Sequence, residues 1–163
     1  MKVLPTRQRP GVLSDAEVIT DYHHRCWIEA FAPLVDSEAV HRLDPLAKLD
    51  RWRSWLSEDS SPQTIVADLD GRPVAHVTVD GSVLVHLFVD PDHWGAGLGR
   101  ELLEVGEDLL AAAGHSRIEL TTLIGNKPAL ALYQSAGWTV TDEVVHNDAN
   151  GIVYDEHLLI KIL

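Results

Sequence analysis

Three glycines on alternate residues, Gly95, Gly97 and Gly99, follow an apolar segment that ends at Asp90-Pro91. The residues after the last glycine have helical periodicity, so several backbone N–H groups collect at a predicted helix N-terminus. Glycine lets the backbone approach a ligand closely, because no side chain stands in the way. The pattern predicts an anion site made of main-chain groups.

The residues after the loop narrow the kind of anion. A nucleoside triphosphate loop needs lysine and a hydroxyl residue after its last glycine, and Arg100-Glu101 stands there instead. A dinucleotide loop needs glycine in place of Arg100 and belongs near the start of a chain, not after three antiparallel strands. The remaining alternative is a pyrophosphate, held by the consecutive N–H groups from Gly95 to Arg100.

A second motif lies further along the chain and reads Asn126-x-x-Ala129-x-x-x-Tyr133-x-x-x-Gly137-Trp138. Together with the strand and glycine loop before it, over residues 83–138, it resembles the GCN5-related N-acetyltransferase (GNAT) superfamily. The N-terminal helices and the closing hairpin also look like those of that family. The resemblance implies a mixed α/β fold: a mostly antiparallel, twisted sheet of six or seven strands with one parallel strand–helix–strand unit, flanked by about four helices.

The resemblance further implies acetyl-CoA as the donor. In the family, the strand before the loop and the strand before the second motif splay apart, and pantetheine lies in the gap. By that likeness Asn126 contacts the pantetheine near the thioester, and Tyr133 protonates the departing thiolate. The implied acetyl-CoA contacts are Leu87, Phe88, Val89, Gly95, Ala96, Gly97, Leu98, Gly99, Arg100 and Asn126.

Tyrosine suits the role of acid on chemical grounds. A phenol has a pKa of about 10, close to that of an alkyl thiol, so proton transfer between them is nearly balanced. One residue departs from the family pattern, because Trp94 stands where Gln or Arg is usual. The main-chain cradle is expected to survive that change. Arg100 is either a further charge beside the phosphates or an exposed helix residue.

The acceptor side is less defined. An amine is mostly protonated at pH 7 and must lose a proton before it attacks a thioester. Some relatives place a glutamate five residues before the asparagine, and this chain has Thr121 there. Glu119, on the same strand face as Thr121, is a remaining candidate base. Trp27, on an N-terminal helix, is a candidate wall of the acceptor pocket.

Histidines are alternative bases. His76 and His86 lie on predicted strands, and imidazole titrates near neutrality. His86 shares its face with apolar residues, which favours a packed side chain, and a chain of water molecules without a single base is a further alternative. His23 and His24 are adjacent on a helix and point about 100° apart, so no metal site is predicted. The single cysteine, Cys26, lies on an apolar stripe and is predicted to be a buried thiol.

Local patterns predict the supporting helices. A weak strand pattern covers residues 3–9. Residues 14–17 have the form of a capping box, with Ser14 as the cap, and begin a helix that Pro33 closes. The segment 36–40 is looser, and Asp44-Pro45 predicts the start of a second helix that ends near Glu58.

The predicted sheet follows from two Asp-Gly turns, at 70–71 and 80–81, which separate three antiparallel strands. The third, residues 83–89, is apolar at nearly every position, as expected of a central strand buried on both faces. After the glycine loop, Gly106 lies on the apolar face of a helix that Gly114 ends, so that helix is expected to approach the sheet closely. A strand over 118–124, a short helix over 126–137 and two final strands complete the pattern.

Composition indicates one domain over residues 1–163. The net charge of −12 disfavours nucleic acid and favours a cationic acceptor, although it also serves solubility. With no apolar run that could span a membrane and no signal peptide, we expect no membrane partner and a cytoplasmic location. The apolar stretch 158–160 of the final strand is a candidate homodimer interface.

The sequence therefore predicts an acyltransferase that moves the acetyl group of acetyl-CoA to a primary amine of a small molecule or peptide by direct attack. Two alternatives stay open: a CoA-binding sensor without transfer activity, and a transferase of another acyl group or onto a hydroxyl.

Overall fold

The computed structural model describes residues 4–163, and within them a seven-stranded sheet carries five α-helices. The strands lie in the order β1-β2-β3-β4-β5-β7-β6. They are Arg7–Pro10 (β1), Gln63–Leu69 (β2), Arg72–Asp80 (β3), Val83–Val89 (β4), Arg117–Leu123 (β5), Thr139–Ala149 (β6) and Ile152–Ile162 (β7). The helices are Ala16–Cys26 (α1), Ser37–His41 (α2), Leu49–Trp55 (α3), Leu98–Ala112 (α4) and Lys127–Ser135 (α5).

The predicted fold class is confirmed. Neighbouring strands pair antiparallel except β4 and β5, which form the parallel unit with α4 as its crossover. The first strand is shorter than the pattern suggested and begins at Arg7; residue 3 of that prediction lies outside the described residues. One more helix is present than the four predicted. It is α2, in the segment for which the sequence predicted no regular structure, and the Asp36 carboxylate caps it by accepting a hydrogen bond from the Ala39 N–H at 3.0 Å.

The two Asp-Gly turns are confirmed as the links from β2 to β3 and from β3 to β4. Asp70 and Gly71 have φ of 52° and 86°, and Gly81 has φ of 56°, which is the left-handed backbone that tight hairpins need. The prediction that β4 is buried on both faces is wrong. Most of β4 is only partly buried, because one of its sides lines an open cleft. The buried strand is instead β3, in which every residue from 73 to 79 is buried.

The close approach of α4 to the sheet is confirmed at Gly106. A Cβ built there would lie 2.8 Å from Val77 Cγ2 and 3.0 Å from Leu84 Cδ1, so only glycine fits without displacing the core. Gly114, with φ of 91°, follows the last turn of the same helix. These two glycines set where α4 lies and where it stops.

The first predicted helix start is confirmed, because α1 begins at Ala16, although its cap differs; the second predicted start is wrong. Asp15, rather than Ser14, caps the first turn, because its carboxylate accepts the Val12 N–H at 2.9 Å and pairs with Arg9 at 2.7 Å. The Asp44 carboxylate accepts the Leu46 N–H at 2.9 Å and closes a turn, and α3 begins only at Leu49. At Asp44 this side-chain to backbone bond competes with the expected start.

The final strand does not lie at the sheet edge. β7 pairs with β5 on one side and β6 on the other, so the stretch 158–160 has no unpaired backbone for edge-to-edge association, and that basis for a homodimer is removed. Within residues 4–163, no helix is long and apolar enough to cross a membrane.

A cluster of neutral histidines lies where α1 and α3 pack on β3 and β4. Nδ1 of His76 is 2.6 Å from the Tyr22 hydroxyl, and the Trp52 indole donates to Nδ1 of His23 at 3.4 Å. Burial lowers the pKa of His76 to about 3 and the pKa values of His23 and His86 well below 6.5.

Acid is therefore expected to destabilise the protein below pH 6.5. Between pH 6.5 and about 3 the unfolded chain binds a proton at His76 that the folded chain does not, so stability falls by about 1.4 kcal/mol per pH unit for each such histidine. Urea unfolding across this range measures the slope. In His76→Gln the slope should be smaller by about one proton; equal slopes in the two proteins would contradict the assignment.

Candidate active site

The cleft forms because β4 and β5 are joined at one end only. Val83 and Glu119 are their registered pair, and the Glu119 N–H donates to the Ser82 carbonyl at 3.2 Å. Beyond this point the strands part around a cavity of about 840 Å³, which reaches from the glycine loop to the end of the first helical segment. The splay implied by the family resemblance is therefore present in this chain.

The backbone of β4 presents alternate residues to the cavity. The Asp90 N–H donates to the Val74 carbonyl of β3 at 2.8 Å, which is a hydrogen-bonded position of the antiparallel pair. Such positions recur every second residue, so Phe88 is also bonded to β3, whereas Leu87 and Val89 are not. The N–H and C=O groups of Leu87 and Val89 point toward β5 and the cavity.

This register separates the three predicted acetyl-CoA contacts on β4. Phe88 lines the cavity, but its backbone groups point toward β3. The Val89 carbonyl already accepts hydrogen bonds from the Trp94 indole at 2.8 Å and the Cys26 thiol at 3.1 Å. The Leu87 groups and the Val89 N–H remain for a ligand.

The glycine loop forms a concave run of N–H groups. Gly95 and Gly97 have φ of 78° and 86°, a backbone that residues with side chains rarely adopt. No N–H from Gly95 to Gly97 donates a hydrogen bond to another residue in 4–163. The next three N–H groups, of Leu98, Gly99 and Arg100, begin α4 and have no intrahelical acceptor. Six consecutive donors thus lie at the positive end of a helix dipole, as an anion site requires.

The loop is held in place by a buried carboxylate. Asp90 is 2% exposed, and its Oδ1 accepts from Arg25 at 2.6 Å and from the Asp92 N–H at 3.1 Å. The indole of Trp94 fastens the other side of the loop to β4. Trp94 therefore takes a structural hydrogen bond at the position where the family pattern has a polar residue.

The buried thiol predicted for Cys26 is confirmed. Cys26 is 4% exposed, and burial raises its pKa to about 12. A thiol in that state is not a nucleophile at neutral pH. Arg100 is exposed, and its guanidinium donates to the Ser135 hydroxyl on α5, so it ties the first turn of α4 to the second motif.

The second motif places an amide and a phenol on the cavity wall. Asn126 caps α5 by accepting the Ala129 N–H at 3.4 Å, and its side chain lines the cavity together with Tyr133. Tyr133 is 7% exposed, and its hydroxyl makes no hydrogen bond with the described part of the chain. Burial, and then the charge of Glu156, raises the pKa of Tyr133 well above 10, so the phenol stays protonated.

A polar network fixes α5 against α4 and the sheet. Glu107 on α4 accepts from the Trp138 indole at 2.7 Å and from Lys161 of β7 at 2.6 Å. Lys161 also donates to the Ala136 carbonyl at the end of α5, at 2.8 Å. Both carboxylate oxygens are used and the network is mostly buried, so the helix that carries Tyr133 is held firmly.

This arrangement agrees with what comparison with known proteins finds. A family model described as the acetyltransferase (GNAT) family matches residues 17–138, well over half of the chain. The chain belongs to the GNAT family. A mycothiol acetyltransferase of Clavibacter sepedonicus is 40% identical over 84 residues, which make up 49% of this chain and 28% of that enzyme. The chain thus matches less than a third of that relative's length.

Solved GNAT structures show the same fold. A GCN5-related N-acetyltransferase from Rhodopseudomonas palustris superposes with a TM-score of 0.84 at 21% identity, over 100% of this chain and 99% of the other. The PaiA N-acetyltransferase of Thermoplasma acidophilum, solved in complex with coenzyme A, superposes with a TM-score of 0.78 at 15% identity, over 98% and 100%. At these identities the likeness concerns the fold alone.

The acceptor half of this GNAT cleft differs from the expectation in one respect. Glu119 lies at the closed end, where β4 and β5 are bonded, and its carboxylate pairs with Arg117 at 3.2 Å. Glu119 does not line the cavity, so the structure does not bring it together with the other predicted acceptor-side residues. Trp27, Thr121 and His86 do line the cavity, whereas His76 is buried beneath it.

Five charged or phenolic residues line the cavity that the sequence did not single out: Glu29, Lys48, Arg51, Tyr154 and Glu156. Lys48 and Arg51 are three residues apart at the start of α3, a spacing that places two cations on one helix face and was readable in the sequence. Tyr154 and Glu156 alternate along β7, but only the sheet order places β7 beside β5. In residues 4–163, no group of three metal-ligating side chains is placed to hold an ion.

Proposed function

We propose that the protein transfers the acetyl group of acetyl-CoA to a primary amine by direct attack of the amine on the thioester. The observation that carries the proposal is the cleft between β4 and β5. It has six unpaired N–H groups at one mouth and a protonated Tyr133 on its wall. Family membership and the coenzyme A complex of PaiA support the choice of donor.

The donor half of the cleft suits the length and polarity of acetyl-CoA. Its pyrophosphate would lie on the N–H groups from Gly95 to Arg100. The pantetheine would extend along β4, where Leu87 and Val89 offer backbone groups that the sheet does not use. This would bring the thioester to the part of the wall that holds Asn126 and Tyr133.

Two proton movements complete the reaction. The amine must lose a proton before or during attack. The candidate base is Glu156, a carboxylate that lines the cavity and whose charge acts on Tyr133. As the thioester C–S bond breaks, Tyr133 gives its proton to the thiolate, and the phenolate is reprotonated from the base or from water. The phenol is protonated at neutral pH and so has a proton to donate, although its raised pKa makes it a weaker acid than a free phenol.

Free-thiol release with acetyl-CoA and a panel of primary amines, together with calorimetric titration of acetyl-CoA, tests the proposal. We expect acetyl-CoA binding and amine-dependent thiol release. Failure to bind acetyl-CoA would contradict the choice of donor. Tight binding without release for every amine would contradict transfer and support a CoA-binding sensor, and a preference for a longer acyl-CoA would overturn the acetyl assignment.

A further inference from the structure

The acceptor end of the cleft contains two cations without a counter-ion. Lys48 and Arg51 both line the cavity, and neither lies within ion-pair distance of a carboxylate in residues 4–163. Other partly buried cations of residues 4–163 differ, because Arg9, Arg25 and Lys161 are each paired with a carboxylate at 2.6–2.8 Å. In a protein of net charge −12, an unpaired cationic pair in a cavity needs an explanation.

The hydrogen-bonding capacity of these groups is unused. Nε and Nη2 of Arg51 are buried without an acceptor, and the guanidinium lies over the Trp55 ring at 4.9 Å. Lys48 Nζ lies 5.5 Å from the centre of the Trp27 ring, whose Nε1 is also buried without an acceptor. Three side chains therefore offer donors at this end, and unmade hydrogen bonds of buried cations are costly.

The electrostatic environment of the two cations would favour a bound anion. Burial, and then the charge of Arg51, lowers the pKa of Lys48 to about 8. A negative charge bound between the two side chains would oppose both effects. The site is thus prepared for an anion that the protein itself does not supply.

Glu156 and the two cations lie in different parts of the cavity. Glu156 on β7 is registered with Leu123 of β5, which lies shortly before the second motif in the chain. Lys48 instead lies over the Trp27 ring, and that ring also contacts Tyr154. Burial, and then the charge of Glu156, raises the pKa of Tyr154, and Arg51 lowers it.

The wall between these parts is aromatic. The Trp27 ring contacts Phe31 at 4.9 Å and Tyr154 at 5.5 Å between ring centres, both edge to face. The Phe88 ring lies 6.1 Å from Phe31. Such a wall favours a flat or apolar body between the polar ends of a ligand.

We propose that the acceptor is an aminocarboxylate: its carboxylate binds Lys48 and Arg51, an apolar body lies against Trp27 and Tyr154, and its amine reaches Tyr133. This inference rests on the proposed function and names its substrate class. It replaces the cationic acceptor predicted from net charge. A single negative charge fits better than a phosphate dianion, because Glu29 and Glu156 also line the cavity.

The test compares two acceptors that differ only in the carboxylate, 4-(aminomethyl)benzoate and 4-(aminomethyl)benzamide. We expect kcat/KM for the benzoate to exceed that for the benzamide by about tenfold, the worth of a charge-assisted hydrogen bond. Arg51→Met should abolish this preference, and Arg51→Lys should restore part of it. The Kd for acetyl-CoA should stay within about twofold in both variants.

Controls separate this inference from the function it rests on. Arg53→Met removes an exposed cation of the same helix, one that pairs with Asp50 and Glu17, and should keep the preference. Calorimetry with 4-(aminomethyl)benzoate in the presence of CoA reports carboxylate binding without catalysis. Equal kcat/KM for the two acceptors, or a preference that survives Arg51→Met, would overturn the inference and leave amine acetylation standing. Carboxylate binding without thiol release would instead count against the proposed transfer.

Discussion

Tyr133→Phe is expected to lower the turnover of acetyl transfer about 100-fold, the usual scale of a lost general acid. The substitution removes one oxygen and keeps the ring, which packs 6.4 Å from Trp138 between ring centres. Because the hydroxyl makes no hydrogen bond with residues 4–163, its loss leaves no protein group unpaired. The fold and the Kd for acetyl-CoA should therefore change little.

Steady-state thiol release at saturating acetyl-CoA and amine measures this effect, and calorimetry measures the donor affinity. Gln134→Ala, an exposed change on the same helix, is the matched control and should keep full turnover. A Tyr133→Phe variant with unchanged turnover would remove Tyr133 from the mechanism. A variant whose turnover and acetyl-CoA affinity fall together would assign the hydroxyl to donor binding.

Gly97→Val is expected to raise the Kd for acetyl-CoA by about 30-fold or more. Gly97 has φ of 86° immediately before α4, and a β-branched residue resists that conformation at a cost of about 1–3 kcal/mol. A loop that relaxes to relieve the strain turns its N–H groups away from a common centre. The pyrophosphate then loses several charge-assisted hydrogen bonds at once.

Gly114→Val provides the comparison, because Gly114 has φ of 91° at the opposite end of α4 and lies far from the cradle. Both variants should lose similar stability in urea unfolding, but only Gly97→Val should lose affinity for acetyl-CoA. Equal losses of affinity would mean that α4 as a whole, and not the local cradle, decides donor binding. Unchanged affinity in Gly97→Val would contradict the placement of the pyrophosphate.

Features that depend on consecutive residues were predictable from the sequence. The φ angles of a glycine loop, the N–H groups it exposes and the Asp-Gly hairpins are local properties, so Gly95, Gly97 and the two turns lie where expected. The spacing from Asn126 to Tyr133 is also local, since both residues belong to one short helix and its cap. These features and their order along the chain carried the resemblance to the GNAT family, and that resemblance implied the fold that the structure has.

Features that depend on which side of an element faces the cleft were not predictable. The sheet register assigns the Phe88 backbone to β3, and the joined end of β4 and β5 takes Glu119 out of the cavity. The start of α3 was also missed, because the Asp44 carboxylate closes a turn on the Leu46 N–H and the helix begins only at Leu49.

The sequence by itself placed the glycine loop, Asn126 and Tyr133, because short-range spacing encodes those positions, and its resemblance to the GNAT family implied the fold. Only the tertiary structure decided the character of the acceptor pocket, since packing of α3 and β7 brings Lys48, Arg51 and Glu156 to one cavity. Net charge sums over the whole surface, whereas a ligand senses the few charges within reach that water does not screen. That is why net charge favoured a cationic acceptor, whereas the two cations in the cavity led us to propose an anionic group on the acceptor.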